Sequence, residues 1–195
     1  MSVDTDICNS ALIKLGAERI NALTDDNKRA RLCQEQYPKI IKRMLRAHPW
    51  NFAVKRATLT PVDAGLAHGS ENAFQIPLDS LRILKINKGY TYTIERNYIL
   101  CDLDTVNLWY ITENTAEAYF DECFQEAAAC ALAADLCYAI TQSNTMKQSL
   151  LDECQNWVAQ ARSFNSMEQT PESMEFDTWD DSRIMGRNLV PGVDY

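Results

Sequence analysis

Residues 42–60, KRMLRAHPWNFAVKRATLT, decide how this chain is organised. Ile40, Ile41, Met44 and Leu45 recur on one face of a helix, with Lys42, Arg43 and Arg46 on its polar side. Pro49 cannot extend that helix, and it turns His48 towards an extended conformation. Trp50 and Phe52 follow two apart, so in a strand both point to one side. The reading is a helix stop, an aromatic anchor of Pro49, Trp50 and Phe52, and a strand that the anchor pins to the helix end.

Upstream, Ile7, Ala11 and Leu15 repeat every four residues, which predicts a first helix over Asp4 to Leu15 ended by Gly16 in the left-handed conformation. Thr24, Asp25 or Asp26 is placed to cap a second helix running to about Arg46, with a kink expected near Tyr37 because Pro38 lies inside it. Downstream, residues 53–113 lose the helical period. Short β-prone runs alternate with turn signals, around an exposed tip at residues 61–72. Tyr90, Tyr92 and Ile94 alternate with Thr91, Thr93 and Glu95, the pattern of a half-buried strand. Close spacing predicts antiparallel hairpins rather than crossovers. Helices return after Asn114: an alanine-rich one from about Ala116 to Ile140, then one from Thr145 to about Phe164 with Phe164 on its inner face. The polar loop between them makes an antiparallel hairpin.

The expected fold is therefore α+β, mainly α. An antiparallel four-helix body (residues 1–52 and 114–167) carries an inserted antiparallel β-meander (53–113) and an extended C-terminal arm (168–195). The arm has no period, yet it keeps Met174, Phe176, Trp179, Ile184, Met185, Leu189, Val190 and Tyr195, more apolar bulk than a solvated tail needs.

The net charge of −8 is uneven: residues 1–60 carry +5, 61–112 carry −2, 113–167 carry −6 and 168–195 carry −5. Such asymmetry suits complementary surfaces, within one chain or between copies, and the acidic average argues against a dedicated nucleic-acid binder. No apolar run approaches a membrane span, and the N-terminus MSVDTDICNS is expected to carry no secretory leader. The seven cysteines lack zinc spacing and read as free thiols of a reducing compartment.

Chemistry is sparse. The two histidines, His48 and His68, have no histidine partner at ligand spacing, and there is no phosphate-binding glycine loop. Cys33 or Cys101 beside His48 is conceivable as a nucleophile pair, and Asp102 with Asp104 reads more simply as turn formation. No catalytic residue, metal or cofactor is expected.

The order of features resembles a known family. A helix ending Leu15-Gly16, a basic helix, the Pro49-Trp50-x-Phe52 junction, the run Phe74-Gln-Ile-Pro-Leu-Asp-Ser-Leu-Arg-Ile83 and Tyr119-Phe-Asp-Glu-Cys-Phe124 opening an Ala-rich helix are similar to the tail tubular protein A family. These are the head-to-tail adaptors of short-tailed bacteriophages and related prophages. The resemblance covers about residues 3–165. Its most specific parts are the Trp50/Phe52 junction and Pro77-x-Asp79-x-x-Arg82, which we read as structural anchors.

The resemblance implies a non-enzymatic virion part at the head–tail junction, assembled in the host cytoplasm. It implies a ring, usually of twelve copies, between the portal protein and the tail nozzle protein, with DNA passing through the channel without sequence-specific binding. A ring needs two complementary faces per subunit. Arg29, Arg31, Arg43 and Arg46 are expected opposite acids such as Glu117, Asp121, Glu122 and Glu126, either across a subunit contact or within one chain. Two alternatives stay open: a neck or head-completion protein of another tailed phage, and a small monomeric enzyme or binding module built around Cys101, Asp102 and Asp104 near His48.

In the arm, Ile184, Met185, Leu189, Val190 and Tyr195 are the expected anchors on a neighbour or the portal, with Arg183 and Arg187 reaching acids on the partner. Deleting residues 182–195 is expected to leave a subunit that melts normally yet fails to join portals. A truncated protein that still gives stable particles removes the arm from the assembly.

Overall fold

The computed structural model describes residues 2–63, 65, 72–87 and 90–168. His68 and the arm residues Arg183, Ile184, Met185, Arg187, Leu189, Val190 and Tyr195 lie outside them. The described residues form four α-helices: α1 (Val3–Lys14), α2 (Lys28–Ala47), α3 (Glu122–Thr141) and α4 (Asn144–Met167). Among the described residues between α2 and α3 there are six strands: β1 (Val54–Leu59), β2 (Asn72–Gln75), β3 (Ser80–Lys85), β4 (Thr93–Glu95), β5 (Tyr98–Cys101) and β6 (Val106–Thr112). The mainly helical α+β class is as the sequence predicts.

Local chemistry sets the helix ends. At the end of α1, Gly16 takes φ 68°, a left-handed backbone that glycine adopts without a Cβ penalty. The Gly16 N–H donates to the Ile13 carbonyl (2.9 Å) and that of Ala17 to Leu12 (2.9 Å), a Schellman closure. The cap of α2 is Asn27, whose Oδ1 accepts from the Ala30 N–H at 2.8 Å, rather than Thr24, Asp25 or Asp26. Asp25 is occupied one turn earlier, where its carboxylate accepts from the N–H groups of Asn21 (2.9 Å) and Ala22 (3.3 Å). The helix continues through Pro38 to Ala47. α3 starts later than the alanine run suggests, because Asp121 caps it by accepting from the Cys123 N–H at 2.9 Å.

α3 is the centre of the body. Ala127, Ala128, Ala129, Ala133 and Ala134 are all buried, so small side chains face inwards around much of its circumference. A helix that is apolar on every side belongs inside a protein, and α1, α2 and α4 pack around this one. α2 runs against it: Lys28 reaches the Ala139 carbonyl (3.4 Å), while Trp50 just past the other end meets Phe124. α4 returns antiparallel with Leu150 and Ala161 buried. Phe164 is 51% exposed, and the next residue, Asn165, takes the inward position. The polar Asn165 is inside because three backbone and side-chain groups there need partners.

The strands do not follow an up-and-down meander. They make two three-stranded antiparallel sheets, of order β1-β6-β3 and β2-β5-β4. The strand that enters the insertion therefore pairs with the strand that leaves it, Val54 opposite Ile111 and Leu59 opposite Val106. The sheets enclose a second core of Phe74, Ile76, Ile86, Ile99, Cys101, Val106, Leu108 and Tyr110. Period-two alternation in β6 puts Val106, Leu108 and Tyr110 in that core, and Ile111 in the helical one. β6 thus ties the two cores together.

The junction itself is not a strand. Asn51–Ala53 form a 3₁₀ turn, so Trp50 and Phe52 stack on each other, with ring centroids 5.9 Å apart. Both meet Phe124 edge-on, at 5.0 and 5.2 Å. The anchor therefore locks the end of α2 to the start of α3 rather than to a sheet. Replacing the 2% exposed Trp50 by alanine removes the keystone of this cluster. We expect Trp50→Ala to cost about 3–5 kcal/mol in denaturant unfolding. An unchanged midpoint means that Trp50 is not the anchor.

Candidate functional site

At the junction, His48 lies edge-on to Trp50 at 4.7 Å, and its Nε2 is 3.3 Å from Asn165 Nδ2. Asn165 Oδ1 accepts from the Asn51 N–H (2.8 Å), and Asn165 O accepts from Asn51 Nδ2 (2.9 Å). Asn165 Nδ2 also donates to the Pro49 carbonyl at 3.4 Å, so one asparagine ties the end of α4 to the turn. Burial holds the His48 pKa below its ordinary value, helped by the charges of Arg162 and Arg82, so the ring is neutral near pH 7. His48 is thus employed as a packing and hydrogen-bonding group. Cys33 is buried with Cys8 in the helical core, whereas Cys101 sits on β5 in the second core. Asp102 and Asp104 are exposed in the turn after β5. Sequence reasoning missed Asn165, because an isolated asparagine near a helix end carries no pattern.

The run Pro77-x-Asp79 forms the tight connection from β2 to β3. Asp79 Oδ2 accepts from Lys55 Nζ (2.9 Å) on β1 and from Thr112 Oγ1 (2.9 Å) on β6, and its Oδ1 accepts from the Tyr110 hydroxyl (3.2 Å). The Asp79 carbonyl accepts from the Glu113 N–H at 2.7 Å, and that of Pro77 from the Ser80 N–H at 3.0 Å. Asp79 is therefore the clasp of the first sheet. Its carboxyl is held below the usual carboxylate range, first by the Lys55 hydrogen bond, with the Thr112 and Tyr110 hydroxyls adding to it. Arg82, three residues on, is exposed and makes no ion pair among the described residues.

The basic face of α2 is mostly satisfied within the chain, but by other acids than those expected. Arg29 pairs with Glu18 (2.7 Å), Arg31 with Asp26, and Arg43 with Asp135 (3.1 Å). Glu126 pairs with Lys14 (3.4 Å), which Glu153 shares (2.7 Å). Glu117 accepts from the buried Tyr37 hydroxyl at 2.9 Å, and Asp121 caps α3. Arg46 and Glu122 make no ion pair among the described residues. Exposed pairs of this kind contribute about 0–1 kcal/mol each, so they orient surfaces more than they bind them.

Large apolar side chains are exposed at both ends of α3. Tyr119 (69%) precedes its N-terminus and Tyr138 (65%) lies in its last turn, while Leu78 (89%) caps the sheet connection beside Asp79. The strand pattern at 90–95 is corrected by the structure: Tyr90, Tyr92 and Ile94 are exposed, because β4 is a three-residue edge strand outside the second core.

No group of three potential metal ligands occurs among the described residues. Among the described residues one helix, α3, is long and apolar enough to cross a membrane by length and composition; here most of it is buried against the other helices. Compared with known proteins, the chain matches no family model and no curated sequence.

The clasp has a pH signature. Because the folded Asp79 pKa lies below its ordinary value of 3.8, its stabilisation is present above that value and is lost as pH falls through the folded pKa. Asp79→Asn is expected to cost about 1–3 kcal/mol at pH 7 by weakening charge-assisted bonds. The gap to the parent should close below about pH 4. A gap that does not change with pH rules out the carboxylate as its source.

Proposed function

We propose that this chain is a structural head-to-tail adaptor of a tailed-phage virion. In this reading it forms a ring, of twelve copies, between the portal and the tail nozzle, and DNA passes through the centre. The observation that carries the reading is the placement of the exposed apolar side chains. Tyr119 and Leu78 lie at the sheet end of the body, and Tyr138 lies at the far end of α3, sixteen residues beyond Glu122. At 1.5 Å per residue that separation is about 24 Å. Two separate apolar surfaces per subunit suit the heterologous, head-to-tail contacts of a ring, in which one face of each copy meets a different face of the next. Glu122, which makes no ion pair among the described residues, adds an acid three residues after Tyr119 that would set register and association rate rather than affinity.

The feature order of the junction, of the Asp79 run and of the Ala-rich helix supports the same reading through the resemblance described above. The −8 net charge suits a channel that must release DNA, since affinity for phosphates grows with basic contacts. The seven free cysteines suit assembly in a reducing host cytoplasm.

Electron microscopy of the full-length chain, alone and mixed with its portal, tests this. The expected result is a closed ring, formed alone or on the portal. Tyr138→Asp should weaken ring assembly about tenfold or more if the residue is a buried interface aromatic. A chain that stays monomeric with the portal, and instead binds a small ligand, overturns the adaptor reading.

A further inference from the structure

A groove runs between β3 and β4, lined by Arg46, Arg82, Arg96, Ile76, Tyr92 and Ile94. The three arginines are exposed and make no ion pair among the described residues, although acids elsewhere take up Arg29, Arg31 and Arg43. Three like charges gathered on one groove repel one another and call for a counter-charge. Beside them Ile94 is 50% exposed on the edge strand β4, and Tyr92, just before it, is 38% exposed. The groove therefore suits a partner that is acidic, partly apolar and extended.

The described chain ends at the turn that follows α2, the helix whose last turn gives Arg46 to this groove. Glu168, just past α4, accepts from Asn51 Nδ2 at 3.2 Å, and Asn165 holds the turn at His48 and Pro49. Arg46 is two residues before His48, and the charges of Arg82 and Arg162 are both felt at the His48 ring. From Glu168, the three residues 169–171 can span at most about 10 Å. Then comes Glu172-Ser-Met-Glu-Phe-Asp-Thr-Trp-Asp-Asp181, with five acids, no base and three large apolar residues. In an extended chain Met174 and Phe176 share one side, and Glu175 and Asp177 share the other.

We propose that residues 172–181 of the same chain occupy this groove, laid along β4. Met174 and Phe176 cover Tyr92 and Ile94, and Glu175 and Asp177, on the other side of the segment, face Arg46, Arg82 and Arg96. Tethering beside the groove gives an effective concentration in the millimolar range, which favours a chain's own segment over a second copy. Residues 182–195 lie beyond the seat, so the proposal holds whether or not the chain is a ring subunit.

Hydrogen exchange of the full-length protein, read by mass spectrometry on peptides covering 172–181 and 90–97, tests it. The expected result is about tenfold slower exchange of the 172–181 amides than of a free peptide of that sequence, with no change on dilution. Arg46→Glu/Arg82→Glu/Arg96→Glu should abolish the slowing, and Glu172→Arg/Glu175→Arg/Asp177→Arg combined with it should restore it. Circular dichroism confirms that the variants fold. Slowing that vanishes on dilution means that a second copy fills the groove. Slowing that survives the arginine reversal puts the segment elsewhere. No slowing at 172–181, with added duplex DNA protecting 90–97, makes the groove a phosphate site. Each of these three results overturns the proposal.

Discussion

Trp50 is held on every side, and the rest of the structure is arranged around its seat. Its indole N–H donates to the Met44 carbonyl at 2.9 Å, which satisfies one of the orphan acceptors at the end of α2. Its ring meets His48, Phe52 and Phe124, which come from the end of α2, the turn and α3. Phe120 closes the cluster against Phe52 and Phe124 at 5.5 and 4.9 Å. Aromatic pairs at such distances contribute about 0.5–1.5 kcal/mol each beyond area burial. With Asn165 added from α4, one turn joins the ends of three helices to the first strand.

That constraint explains the strand order. The chain enters the insertion at Val54 and must return to the start of α3, so its first and last strands lie side by side on the helical body. β6 is then the shared wall, and Asp79 clasps it to β1 by bonding Lys55, Tyr110 and Thr112. Trp109, on the same strand, has Arg56 and Lys85 over its ring at 5.7 and 5.6 Å. The clasp and the cations act on the outer parts of the sheet, while apolar burial acts on its faces.

The charge distribution takes on a different meaning once the pairs are seen. Among the described residues, most cations of the basic N-terminal part have acidic partners within the chain. Arg46 makes no ion pair among the described residues and shares one groove with Arg82 and Arg96 of the β insertion. At protein interfaces in general, charge steers encounter and sets register, while apolar and aromatic area supplies the affinity.

The sequence by itself determined the order and type of the elements, because these follow from local rules. The stop at Pro49, the left-handed Gly16 and the alanine-rich α3 were each legible from residue chemistry within a few positions. The weight of the Trp50/Phe52 junction and of Asp79 was legible too, although the atoms they would meet were not. Only the tertiary structure decided which strands are neighbours, since β1 and β6 are far apart in sequence and their pairing is set by closure onto the helices. It also decided that Phe164 faces solvent while Asn165 faces inwards, because three polar groups of the turn lie there. The same is true of Tyr92 and Ile94: alternation marks a strand, but whether a face is covered depends on what packs over it. Pairing of Arg43 with Asp135 rather than with Glu122 was likewise beyond sequence, as long flexible side chains pair with whatever acid the fold brings within reach.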